Sequence, residues 1–84
     1  MWRFLLLMAV GCAQVEQSQS CATYVACIQA QDEVKGIETD LVRFQPDEAC
    51  WINPDIADLC DRGCVNGLAW MQETMSDLPE ECAP

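Results

Sequence analysis

Seven cysteines in an 84-residue chain are the residues whose chemistry demands an account first: Cys12, Cys21, Cys27, Cys50, Cys60, Cys64 and Cys82. Thiolates can attack, bind metal or pair as disulfides, and the surroundings decide which. Nucleophilic use lacks its usual partner, because the chain contains no histidine, the common general base and metal ligand. Cys60 and Cys64, four apart on one helix face, could join Cys21 and Cys27 as an all-thiolate zinc site. That site requires a reducing compartment. The first residues argue for an oxidising one: Met1-Trp2-Arg3 is a short positive segment, Phe4 to Val10 is unbroken apolar, and Gly11 and Cys12 follow. This is the order of an export signal, and it is too short to span a bilayer. Setting Cys12 apart leaves an even set of six for a closed disulfide framework, the chemistry that oxidising compartments permit. The expectation is therefore three disulfides, no metal and no cofactor.

Cys12 acquires its own role from the residues before it. Ala9-Val10-Gly11-Cys12 resembles the bacterial lipobox, with Ala9 where that motif usually prefers Leu. The resemblance implies a diacylglycerol thioether on Cys12, which becomes the acylated N-terminus once residues 1–11 are removed. Several acyl chains suffice for stable anchoring, since each buried methylene contributes about 0.8 kcal/mol. The rival route is ordinary cleavage after Ala13, where Gly11 and Ala13 supply small residues, and it releases a free six-cysteine peptide.

Charge excludes another class of partner. The net charge is −10, and losing Arg3 with the leader leaves Lys35, Arg43 and Arg62 against 14 acidic side chains. Such a field repels nucleic acid and anionic headgroups and favours solubility. Gly63 and Gly67 form no phosphate-binding loop, lacking a following Lys and a strand-to-helix turn. The acidic pairs Asp47-Glu48 and Glu80-Glu81 sit near turns and read as solvated. No enzymatic constellation emerges, and the expectation is that the protein is not an enzyme.

The elements that must position the cysteines are helical. Residues 12–20 are polar and read as a tether. Ser18 and Ser20 are candidate N-caps for a first helix near Cys21, whose stripe is Cys21, Tyr24, Val25 and Ile28, with Lys35-Gly36 closing it. Ile37 to Phe44 is expected as a short second helix, barred from continuing by Pro46. Asn53 as cap, Pro54 at the first position and Asp55 at the positive end mark a third helix, ended by Leu78-Pro79. Its face carries Ile56, Cys60, Gly63, Cys64, Gly67, Met71 and Met75. The two glycines are expected as a notch for close helix packing. The fold class is thus all-α: a small disulfide-stapled helical hairpin, two main helices with a short helix between, occupying residues 21–84.

Six cysteines allow fifteen pairings. If the main helices run antiparallel, a nested set avoids stranding cysteines at opposite ends: Cys27–Cys64, Cys50–Cys60 and Cys21–Cys82. The alternative of Cys21–Cys64 with Cys27–Cys60 separates Cys50 from Cys82 beyond the roughly 7 Å that a bridge tolerates.

The dress of these cysteines, Cys21 to Cys27, Ala49-Cys50-Trp51 and Asp58 to Leu68 with Cys60 and Cys64 inside, resembles short cysteine-rich lipoproteins of the myxobacterial kind. The resemblance covers most of the chain after residue 20 and implies an address and a framework, with no activity. The spacing Cys50-x9-Cys60 is shared with twin-cysteine hairpins of the mitochondrial intermembrane space, but Cys21-x5-Cys27 breaks that pattern. The functional expectation is an exported lipoprotein of the bacterial cell envelope. It would contact the membrane through the lipid at Cys12 and play a structural or protein-interaction role. The alternative is an extracellular six-cysteine effector or inhibitor. Trp51 and Trp70 are the candidate partner contacts, since tryptophan is enriched in binding hot spots; otherwise they cap the core.

Overall fold

A computed structural model describes residues 15–83, and the leader and Cys12 lie outside them. The first helix, α1, spans Gln19–Lys35. Ser18 caps it in extended conformation, its hydroxyl accepting the Cys21 N–H at 3.1 Å. At the far end Gly36 takes φ 71° and donates to the Asp32 carbonyl at 2.8 Å, and Ile37 donates to the same oxygen. Of the expected stripe, Cys21 and Val25 are buried, while Tyr24 and Ile28 are half-buried.

The second main helix, α2, spans Pro54–Thr74. It begins as the sequence dictates: Asn53 accepts the Ile56 N–H at 2.9 Å, Pro54 opens the first turn, and Asp55 lies in it. It ends before the expected Leu78-Pro79. Thr74 turns its hydroxyl back onto the Trp70 carbonyl, Met75 is already extended, and Asp77 adopts φ 59°. The chain thereby reverses and reaches a 3-10 turn at Glu80–Cys82.

Between the main helices lie only single turns, Val42–Phe44 and Ala49–Trp51. The helix expected over Ile37 to Phe44 is therefore reduced to its last three residues. The Asp32 carboxylate explains why, because it accepts both the Thr39 N–H at 2.8 Å and the Thr39 hydroxyl at 3.0 Å. Asp40 takes the Val42 N–H at 3.1 Å. These side chains offer the backbone partners that compete with a helical ladder. The expected tether is also shorter. Val15 packs against the core and donates its N–H to the Trp51 carbonyl at 3.0 Å, and Gln17 reaches the Phe44 carbonyl at 2.7 Å. One valine leaves no periodic trace, so the polar run around it concealed the attachment.

The main helices run in the same direction. Cys21 is bonded to Cys64, Tyr24 touches Gly67, Cys27 shares a buried cluster with Met71, and Gln31 meets Met75. Both numbers rise together, which overturns the antiparallel order assumed for the pairing. Parallel neighbours need a long return. Residues 36–53, at up to about 3.5 Å each, easily retrace the roughly 25 Å length of the 17-residue α1.

Two buried clusters result among the described residues. At the start of α1, Cys21, Cys50, Trp51 and Cys64 pack together, supported by Val15, Tyr24, Phe44, Ala57 and Cys60. Further along, Cys27, Met71 and Cys82 are joined by Ile28, Leu68, Met75 and Leu78.

Candidate interaction surface

Each of the six cysteines expected in the framework is bonded to another sulfur. The bridges are Cys21–Cys64, Cys27–Cys82 and Cys50–Cys60, with Cα separations of 5.0, 4.6 and 5.8 Å. Cys50–Cys60 is the expected loop closure. The other two correct the nested scheme, which paired Cys27 with Cys64 and Cys21 with Cys82. In the parallel register Cys64 arrives beside Cys21, and Met71 stands where Cys27 faces α2. Cys82, carried back after the Asp77 reversal, comes level with Cys27, and Gln72 fixes it by donating to the Cys82 carbonyl at 2.7 Å. The four thiols that could have formed a zinc site are thus divided among all three bridges.

The glycine notch is half as expected. A Cβ on Gly67 would lie 2.9 Å from Cε1 of Tyr24, so that close approach requires glycine. At Gly63 nothing lies within 4 Å, and the residue is exposed. The Tyr24 ring that fills the Gly67 notch meets Phe44 edge-on, with centroids 5.6 Å apart.

The two candidate contact residues separate completely. Trp51 is 1 % exposed, with its indole N–H donating to the Phe44 carbonyl at 3.1 Å. It belongs to the core and offers nothing to a partner. Trp70 is 57 % exposed, on the α2 turn beyond Gly67. It forms one wall of a groove of about 300 Å³ whose lining includes Ile28, Met71 and Met75, with Ile37 and Thr39 on the opposite side. A second hollow of about 210 Å³ adjoins it past Met75, lined by Val34, Asp77 and Pro79 among others. Val34 and Ile37 are 83 % and 57 % exposed. Neither stands out from the sequence as a surface residue: Ile37 is expected only as the start of the short second helix, and Val34 has no assigned part. The available signal was that Val34 is apolar yet falls off the buried stripe of α1.

A third and wider hollow, on the far side of Ile37, is acidic: Asp32, Glu33, Glu38 and Asp40 line it. Among the described residues, no group of three or more His, Cys, Asp or Glu side chains is disposed to hold a metal ion. No helix among them is long and apolar enough to cross a membrane. Cys12, the expected site of lipid attachment, lies outside the described residues. No protein-family model, curated protein or solved structure matches the chain. The geometry defines a small all-helical domain, two main helices joined by short helical turns and stapled by three disulfides, compatible with a structural or interaction role.

Proposed function

We propose that the chain is an exported small lipoprotein of the bacterial cell envelope, related to the short cysteine-rich lipoproteins it resembles. In this reading it is anchored through a lipid on Cys12 and acts as a non-enzymatic structural or protein-interaction module. The observation that carries this reading is the composition of the core. Its buried apolar residues include Cys21, Cys27, Cys50, Cys64 and Cys82 beside few large side chains, chiefly Trp51, Leu41 and Met71. A core so dependent on cystine requires an oxidising compartment, which is where a leader ending in Val10-Gly11-Cys12 would deliver it. The attachment of Val15 adds support. Val15 follows Cys12 by three positions, a reach of about 10 Å, so an anchor there would hold the Trp51 end near the bilayer and leave the Trp70 groove turned away.

Expression in a lipoprotein-processing bacterial host, with intact mass and detergent partitioning, tests the proposal. The mature protein is expected to begin at Cys12 with a lipid-sized mass increment, and Cys12→Ser to move to the aqueous phase. If wild type and Cys12→Ser are both aqueous and begin at Gln14, the freely secreted reading replaces it.

A further inference from the structure

Because α1 and α2 are parallel, their C-termini emerge at the same end of the molecule. Each carries about half a negative charge from its aligned peptide dipoles. Among the described residues, Lys35 is the basic residue in these last turns, for the last turn of α2 holds none. Carboxylates increase the field, with Asp32, Glu33, Glu38 and Asp40 around the acidic hollow and Asp77 beside Met75. Near these carboxylates the fold leaves Trp70, Val34 and Ile37 in water, and Asp32 and Lys35 line the same groove as Trp70 and Ile37. The groove between Trp70 and Ile37 reaches the Met71 and Met75 side chains beneath. Methionine adapts to irregular apolar guests, and tryptophan is a frequent anchor of interface hot spots.

We propose that this end docks a basic, amphipathic segment of a partner protein. One large aliphatic or aromatic side chain enters the groove beside Trp70, while flanking Lys or Arg side chains meet the carboxylates and the two helix ends. Charge complementarity selects this occupant. An acidic segment, nucleic acid or anionic lipid surface would meet the same field with the wrong sign. The inference deepens the interaction role proposed above and is independent of the anchor, so it is tested on the oxidised Cys12→Ser chain, with or without lipid processing of the natural protein.

The probe is a dye-labelled synthetic peptide with Leu and Lys in amphipathic helical spacing, followed by fluorescence anisotropy. A matched peptide with Glu replacing Lys is the control. The Lys peptide is expected to bind and the Glu peptide to fail. Trp70→Ala should weaken binding about tenfold or more. Glu38→Lys and Asp77→Lys should each weaken it several-fold, with a further loss in high salt. Leu59→Ala, an exposed apolar residue outside the groove, should leave affinity unchanged. Circular dichroism and the melting temperature of Trp70→Ala report whether that variant folds. Equal binding of both peptides, undiminished binding by folded Trp70→Ala, an equal loss in Leu59→Ala or no binding of the Lys peptide would each overturn the proposal. Self-association of the chain that Trp70→Ala abolishes would overturn it too, assigning the face to a second copy.

Discussion

The two ends of this molecule use the same residue types to opposite effect. At the Trp51 end two disulfides, a fully buried indole and three hydrogen bonds to the Phe44 and Trp51 carbonyls close the structure against water. At the Trp70 end one disulfide ties down the tail, and an indole, a valine and an isoleucine remain exposed around open hollows. The same amino acid is thus core at position 51 and surface at position 70. What separates them is the carbonyl of Phe44, which gives the Trp51 N–H a partner and so permits complete burial.

Breaking the closed end should have the largest effect. Removing Cys21–Cys64 by double substitution to Ala forfeits about 4 kcal/mol on the chain-entropy model for a sequence separation of 43, and loosens the packing around Trp51. With a core this small, loss of the cooperative thermal transition is expected. Removing Cys27–Cys82 leaves the Trp51 cluster intact. A lowered melting temperature with Trp51 still protected from quencher is the expected outcome there, and quenching equal to that of the Cys21/Cys64 variant would erase the distinction drawn between the ends.

Tryptophan substitutions sharpen the comparison. Trp51→Ala should cost about 3–5 kcal/mol, whereas Trp70→Ala should change stability by no more than about 0.5 kcal/mol. Denaturant unfolding of the two variants measures both, and comparable losses would contradict the burial difference.

The glycines provide a finer test. Gly63→Ala is expected to raise stability by up to about 1 kcal/mol through helix propensity, since open space surrounds it. Gly67→Ala gains the same propensity but drives a methyl group into Tyr24, so its melting temperature should fall below wild type. As small as the Trp70→Ala effect is that of Arg62→Ala. It removes an exposed ion pair to Asp58 at 2.7 Å, and a shift within about 0.5 kcal/mol is expected.

Much of this fold was legible in local residues because local chemistry decides it. Asn53-Pro54-Asp55 specified the start of α2, and Gly36 marked the end of α1, whose start lay open between Ser18 and Ser20 until the Ser18 cap was seen. The parity of the cysteines pointed to three bridges. Helix direction was not legible, because an apolar stripe says which face is buried and not which way the neighbour runs. With residues 36–53 long enough for either order, the antiparallel assumption fixed two wrong pairs. The Asp32–Thr39 contacts that dissolve the middle helix depend on tertiary closeness after Gly36. As for the surface, Trp70 was visible as a candidate, but nothing distinguished it from Trp51 until the Phe44 carbonyl was placed.

Disulfide connectivity is the most direct test of the parallel arrangement. Cleavage at Lys and Arg alone cannot decide it, because Cys21 and Cys27 share one fragment and Cys64 and Cys82 another. Adding cuts after Tyr24 and Met71 in the unreduced protein separates all four. Mass spectrometry should then find the Cys21 peptide joined to the Cys64 peptide, the Cys27 peptide joined to the Cys82 peptide, and Cys50 and Cys60 closed within one fragment. A Cys21 peptide joined to Cys82, with Cys27 joined to Cys64, would contradict the parallel register and the account built on it.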